Sequence, residues 1–167
     1  MELNYKSKSR MFAEVAIIAS LYVVLTVFLP MISYSQIQFR ISEALLILVL
    51  FRKSSIPGLI LGCLIANVFS PFGLPDVIFG TMGSVLAVSG IYLLRKKPVY
   101  ISILPGVIAN AVLVGVELWW FAKIPLWFGF LSVFAGQFVV LYALGIPFFY
   151  ALKKIGFKSD YENVLQK

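Results

Sequence analysis

The chain has 167 residues, of which 61% are hydrophobic and only 13% are charged, with one cysteine and no histidine. This composition excludes a soluble domain with a polar surface and predicts an all-α integral membrane protein. The lone Cys63 excludes an intramolecular disulfide, and the absence of histidine removes the commonest metal ligand and general base. The formal charge of +7 comes from short basic clusters between apolar runs, a pattern typical of membrane topology and not of nucleic-acid binding.

Charges, prolines and loop residues divide the chain into six apolar segments, which we predict to be transmembrane helices. Their expected bounds are 11–31, 40–52, 55–70, 75–94, 98–121 and 125–153. No connection is long enough for a second domain, so we expect one membrane domain over residues 1–167. The first segment is too long for a signal peptide and lacks the cleavage pattern, so we expect it to be retained.

The basic residues indicate how these helices are oriented. Twelve of the fourteen lie before the first helix, between the second and third, after the fourth or after the sixth, which is one side of the bundle. Only Arg40 and Lys123 lie on the other side. By the positive-inside rule we expect both termini in the cytoplasm.

With this orientation, most polar groups of the apolar segments fall in the outer half of the membrane. They are Arg40, Glu43, Asn67, Asp76, Glu117, Trp119 and Trp120, with Asn110 and Gln137 near the middle. The second helix is about 18 Å long at 1.5 Å per residue, against a hydrocarbon core of about 30 Å. We therefore predict a vestibule open to the outside above the short second and third helices, with residues 31–39 as a lid. Local thinning of the bilayer is the alternative.

Asn110 and Glu117 are seven positions apart, which returns them to nearly the same helical face. Because an ionisable side chain within a membrane segment is costly and usually functional, we predict that Glu117 binds the solute. The alternative is a carboxylate that snorkels to the interface beside a tryptophan belt. Trp119 or Trp120 would stack on a ring and a carboxylate would accept two hydrogen bonds, which favours a flat, nitrogen-rich solute.

The other polar groups each have a structural alternative to solute binding. Arg40 and Glu43, three positions apart, either pair with each other or contact the solute. Asp76 is interpreted as a cap or first-turn residue of the fourth helix in preference to a ligand contact. Asn67 either bridges helices or binds solute, and Gln137 is interpreted as a ligand group in preference to an interhelical hydrogen bond.

Small residues recur at helical spacing in the first, third and fourth helices. In the third and fourth, glycines such as Gly62 and Gly83 are expected to let helix backbones approach closely. On the first helix, the small residues lie in the cytoplasmic half, and either internal packing or docking of another membrane subunit explains them. These residues are Ala13, Ala16 and Ser20.

The sequence has no phosphate-binding loop, no Cys/His metal spacing and no nucleophilic triad. We therefore expect no catalytic residue, no metal and no cofactor, and no hydrolysis of ATP by this chain alone. Non-covalent recognition of a small solute remains. The alternative is a membrane scaffold whose outer polar residues form a protein interface.

Three stretches form a combined motif: Ile37-Gln-Phe-Arg-Ile-Ser-Glu-Ala44, Ile56-Pro-Gly-Leu-Ile-Leu-Gly-Cys-Leu-Ile-Ala-Asn67 and Asp76-Val-Ile-Phe-Gly80. With them the chain resembles, over nearly its whole length, the queuosine-precursor transporter (QueT) family of substrate-binding S components of energy-coupling-factor (ECF) transporters. The resemblance implies a six-helix protein of the bacterial cell membrane that captures a deazaguanine precursor outside. It also implies a transmembrane T component and two ATP-binding subunits as partners, with ATP hydrolysis on those subunits.

The resemblance implies that small residues on the first helix meet the T component, which matches Ala13, Ala16 and Ser20. Ser20 stands where the common Ala-x-x-x-Ala pattern has its second alanine. A deazaguanine would stack and would donate hydrogen bonds to Glu117. Asn110, Asn67 or Gln137 would then read its carbonyl and ring nitrogens, and Glu43 would pair with an aminomethyl cation where the ligand carries one. Another vitamin-like solute on the same architecture is the alternative.

Overall fold

The computed structural model describes residues 2–33 and 39–161, with side chains from residue 8 onward except at positions 31 and 32. Within these ranges the chain is helical and contains no strand, which confirms the all-α class. Four helical stretches of the described chain are long and apolar enough to cross a membrane: Lys8–Val27, Leu74–Leu94, Val99–Phe121 and Leu126–Lys154. Two shorter apolar helices, Ile41–Leu50 and Ser55–Val68, correspond to the other two predicted segments.

The third and fourth predicted helices lie close to their expected positions, whereas the first begins nine residues before its expected start at residue 11. Helix α1 spans Glu2–Val27, and a single helical turn, α2, follows at Pro30–Ser33. Helix α3 spans Ser55–Val68 and α4 spans Leu74–Leu94. The first residue of α2 is Pro30. A proline fits the first position of a helix, but it lacks the backbone N–H that α1 would need in order to continue through this position.

The fifth and sixth predicted helices are each divided. The fifth consists of α5, Val99–Ser102, and α6, Leu104–Phe121. The sixth consists of α7, Leu126–Val139, a π-helical segment, Val140–Gly145, and α8, Ile146–Lys154. Helices α6 and α8 each carry a proline in their first two positions. Because proline donates no backbone hydrogen bond, the regular α-helical pattern changes just before it.

The second predicted helix is wrong in type, because Ile41–Leu50 is a 3-10 helix and not an α-helix. At about 2.0 Å per residue it is about 20 Å long, still shorter than a hydrocarbon core of about 30 Å. Eight of its ten residues are buried, and it contacts α1, α3, α4, α8 and the π-helical segment. A helix that is apolar all round is surrounded by others. It therefore forms the centre of the bundle and not the floor of a vestibule.

The outer helices pack in the order α1, α3, α4, α6 and α7. Glycines of α3 bring it close to α1: a Cβ atom at Gly62 would lie 2.7 Å from the Cβ of Tyr22, and one at Gly58 would lie 3.0 Å from the Cβ of Ile18. Close packing of the third helix through its small residues is thus observed. The small residues of α1 do not take part in this contact, since they are exposed: Ala13, Ala16 and Ser20.

Candidate solute-binding site

Polar side chains from five helical elements meet at one end of the bundle, and none of them is more than 8% exposed. They come from the end of α1, the start of the 3-10 helix, the end of α3, the start of α4 and the second half of α6. We call them the polar cluster: Tyr22, Thr26, Arg40, Ser42, Glu43, Asn67, Ser70, Asp76, Asn110 and Glu117. The sequence predicts an open vestibule here, but the structure packs these side chains against one another, closed from solvent.

Arg40 organises one half of the polar cluster. Its Nη2 donates to Oδ1 of Asp76 at 3.3 Å, forming an ion pair, and its Nη1 donates to Oδ1 of Asn67 at 3.1 Å. The hydroxyl of Ser70 donates to the other carboxylate oxygen of Asp76. Asp76 lies in the first turn of α4, as predicted, and it is also the acidic partner of Arg40. Two helices and the start of the 3-10 helix are thus joined through one guanidinium group.

Glu43 organises the other half. The hydroxyl of Tyr22 donates to its Oε1, and Nδ2 of Asn110 donates to its Oε2 at 3.1 Å. Next to it, the hydroxyls of Thr26 and Ser42 lie 2.7 Å apart, and that of Thr26 also donates to the backbone carbonyl of Tyr22 at 2.8 Å. Both oxygens of Glu43 therefore have a donor from a different helix.

Glu117 differs from the other two carboxyl groups of the polar cluster. Its side chain is 1% exposed, and neither of its oxygens has a hydrogen-bond partner among the described residues. It interacts electrostatically with Asp76 and with Arg40, which places it beside the Arg40 half. Buried charged groups are costly unless they are paired or hydrogen-bonded. The carboxylate thus points into the protein, not to the interface, and no described residue supplies it with a donor.

Two glycines of α4 make the room that the amide side chains occupy. A Cβ atom at Gly80 would lie 2.6 Å from Nδ2 of Asn67, and one at Gly83 would lie 2.6 Å from Oδ1 of Asn110. Both distances are shorter than a side chain tolerates without displacement of its neighbour. These glycines were expected to serve backbone packing, and the structure shows that they also accommodate the polar cluster.

A family model described as a QueT transporter matches residues 12–154 of the chain. The chain belongs to the QueT transporter family. The protein "Queuosine precursor transporter QueT" of Lactococcus lactis subsp. cremoris (strain MG1363) is 42% identical over 86 residues, which are 50% of this chain and 50% of that protein. The chain thus spans about half the length of the curated relative it matches. No solved structure matches it.

Family membership confirms the resemblance seen in the sequence motifs. Together with four helices long enough to cross a bilayer, it identifies the chain as a multi-pass protein of a bacterial membrane. A transporter family also supports the expectation that the chain is not an enzyme. Within the polar cluster, the hydrogen bonding among the described residues is incomplete at Glu117.

The structure brings six of the nine polar residues singled out from the sequence into the polar cluster, but three lie apart. Gln137 is buried on α7, and its Oε1 has no partner among the described residues. Trp119 and Trp120 are 51% and 60% exposed and contact each other edge to face. Trp119 is two residues after Glu117, which is about 200° around the helix, so the two side chains lie on nearly opposite faces. Because Glu117 faces the interior, the indole of Trp119 faces outward.

Three members of the polar cluster are not predicted by the sequence: Tyr22, Thr26 and Ser42. Tyr22 and Thr26 are four positions apart in α1, and polar groups at that spacing share a helical face. That spacing within an apolar helix is the signal that could have found them. The predicted lid lies mainly at positions 34–38, outside the described residues. At its start, the backbone carbonyl of Ser33 accepts a hydrogen bond from Nε of Arg40 at 3.4 Å.

Proposed function

We propose that the chain is the substrate-binding S component of an ECF-type importer and that it captures a queuosine precursor, a deazaguanine, from outside the cell. Membership of the QueT transporter family and the name of the Lactococcus relative support the choice of solute. The observation that carries the proposal is the buried carboxylate of Glu117, neither oxygen of which has a donor among the described residues. A deazaguanine presents adjacent N–H groups that would satisfy both oxygens in bidentate fashion.

The other polar groups of the bundle suit the rest of such a ring. Asn67 and Asn110 are amides held by Arg40 and Glu43, and they would read the ring carbonyl and nitrogens. Gln137, outside the polar cluster, is a further buried amide whose oxygen lacks a partner in the described chain. Arg40 and Glu43 would contact the solute or hold these amides in place. Stacking is not assigned to the tryptophans, because both indoles are exposed on the surface of α6.

The proposed orientation places both termini in the cytoplasm and the polar cluster towards the outside, in a single six-span domain. Arg52, Lys53 and Lys97 lie at the end of the bundle opposite the polar cluster, which fits the positive-inside rule. The T component would dock on the exposed small residues of α1, and two ATP-binding subunits would supply ATP hydrolysis. Exposure of Ala13, Ala16 and Ser20 supports this contact, since they do not serve internal packing against α3.

Calorimetric titration of the purified chain with deazaguanine precursors and with guanine tests the solute. We expect binding that Glu117→Gln weakens by roughly 1–3 kcal/mol, because one of two accepted hydrogen bonds is replaced by a donor clash. Trp120→Phe is the matched control on the same helix and should leave the affinity unchanged. If the folded chain bound none of these compounds, the proposed solute would be wrong. If Glu117→Gln left the affinity unchanged, the proposed role of this carboxylate would be wrong.

A thermal-shift titration separates a solute binder from a membrane scaffold. A binder is stabilised further as the ligand concentration rises, whereas a scaffold shows no shift. For docking, we expect Ala16→Trp to abolish assembly with the T component while solute affinity is retained. Ile108→Trp, at an exposed position of α6, is the control. Loss of assembly and affinity together in Ala16→Trp would contradict a pure docking role.

A further inference from the structure

A cavity of about 280 Å³ opens at the basic end of the bundle, away from the polar cluster. It lies between the connection from α4 to α5 and the last turns of α8. No acidic residue of the described chain lines it, but four basic side chains do: Arg95, Lys96, Lys97 and Lys153. Its deeper part is apolar, with Leu50, Val99 and Phe149.

The wall of this cavity is held in place by the chain's own hydrogen bonds. The hydroxyl of buried Ser102 lies 2.8 Å from the carbonyl oxygen of Leu94, 2.9 Å from that of Lys97 and 3.2 Å from that of Pro98. The guanidinium of Arg95 lies over the ring of Tyr92 and donates to its carbonyl oxygen at 2.7 Å. A loop fixed in this way loses little conformational entropy when it binds a ligand.

The cavity lies at the level where the apolar helices end. Helix α4 ends at Leu94, α5 begins at Val99 and α8 ends at Lys154. Two tyrosines that line it, Tyr100 and Tyr150, are 55% and 56% exposed. Tyrosines at the ends of spans are typical of the membrane interface, where their rings lie among lipid headgroups. A ligand bound in this cavity would therefore lie at the depth of the lipid headgroups.

We propose that this cavity binds the phosphate-bearing headgroup of an anionic phospholipid, such as phosphatidylglycerol or cardiolipin. The ammonium groups of Lys97, from the connection between α4 and α5, and of Lys153, from α8, neutralise the phosphate, as basic pockets between membrane helices do for acidic headgroups. The apolar base at Leu50 and Phe149 takes the glycerol and the first methylene groups. A soluble phosphate would leave the apolar floor of the cavity without a contact. A lipid is therefore the ligand that fits the whole cavity.

Native mass spectrometry of the purified full chain in detergent tests this, with cardiolipin, phosphatidylglycerol or phosphatidylcholine added as probes. We expect the anionic lipids to bind more tightly than phosphatidylcholine, and Lys97→Gln with Lys153→Gln to weaken that binding about 30-fold. The matched control, Lys154→Gln with Lys158→Gln, removes the same charge at the same end from residues that do not line the cavity. It should change the affinity by less than about 3-fold, because only the general surface potential falls.

Two outcomes would overturn the proposal. Equal weakening by the two double variants would mean that the lipid responds to surface charge and has no site. Binding of glycerol 3-phosphate as tight as that of phosphatidylglycerol would make this a site for free phosphate compounds. Lys97→Arg with Lys153→Arg should retain the affinity, and an unchanged thermal midpoint of each variant shows that folding is intact.

Discussion

Arg40 and Arg52 both pair with carboxylates, but they do so at opposite ends of the bundle and in different surroundings. Arg40 and Asp76 are 3% and 0% exposed, with Nη2 and Oδ1 3.3 Å apart. Arg52 pairs with Glu14 and Asp160, and these three side chains are 18%, 25% and 33% exposed. Loss of a partner leaves an unpaired buried charge at the first end, whereas water replaces the partner at the second. We therefore expect the ion pair to stabilise the fold strongly in the first region and only weakly in the second.

The two ends also differ in the sign of their unbalanced charge. At the buried end, the polar cluster contains three carboxyl groups, those of Glu43, Asp76 and Glu117, and one guanidinium, that of Arg40. At the basic end, lysines and arginines are in excess around a cavity at headgroup depth. An excess of acceptors fits a solute rich in N–H donors, and an excess of cations fits a phosphate. The contrast is the basis of both binding proposals.

The largest effect is expected from Asp76→Asn, which removes the charged partner of buried Arg40. We expect the free energy of unfolding to fall by about 3–5 kcal/mol, because the guanidinium remains buried without the carboxylate with which it forms its ion pair. Unfolding of the purified protein in mixed detergent micelles measures this. A loss below about 1 kcal/mol would show that water reaches Arg40 and that the two ends are not different in kind.

Substitutions of the other two carboxyl groups sharpen the comparison within the polar cluster. Glu43→Gln should reduce stability by about 1.5–3 kcal/mol, because a charged acceptor of bonds from Tyr22 and Asn110 is lost. Glu117→Gln should leave stability unchanged or raise it, since it removes a buried charge that has no donor among the described residues. The same unfolding measurement applies. Equal losses in the two variants would indicate that Glu117 has a partner in the folded chain.

Gly83→Ala and Gly90→Ala compare a polar with an apolar contact on the same helix. The added Cβ atom would lie 2.6 Å from Oδ1 of Asn110 in the first and 2.5 Å from the Cβ of Pro105 in the second. Each should reduce stability by about 1–3 kcal/mol, and the better helix propensity of alanine offsets part of this. Calorimetry should show weaker solute binding for Gly83→Ala only. Weakening by both variants would mean that binding depends on the packing of α4 as a whole.

The smallest effect is expected from Asp160→Asn at the basic end. Its Oδ1 lies 3.5 Å from Nη1 of Arg52, and its Oδ2 accepts a hydrogen bond from the backbone N–H of Lys53 at 2.9 Å. Because the site is exposed to solvent, we expect a loss of stability below about 1 kcal/mol, and less at high salt. Unfolding curves at two salt concentrations measure it. A loss as large as that of Asp76→Asn would remove the distinction between the two ends.

Much of the candidate site follows from local sequence rules. The spacing of Asn110 and Glu117 predicts a shared face, and both side chains are buried in the structure. The first-turn position of Asp76 in α4 was also predicted. The ion-pair partner of Arg40 was not predicted. The candidate close in sequence, Glu43, is three positions away, whereas the observed partner, Asp76, is 36 positions away. Such a contact depends on which helices are neighbours, and no local pattern encodes that.

By itself, the sequence determined the six apolar segments, the all-α class and the family. A membrane span must be apolar over a fixed length and must satisfy its backbone hydrogen bonds internally. The apolar segments and their helical class can therefore be predicted from the local sequence. Only the tertiary structure decided that Ile41–Leu50 is a 3-10 helix at the centre of the bundle, and that Glu117 is buried while Trp119 is exposed. The rotation of each helix and the surroundings of each polar group are set by packing among all the helices at once.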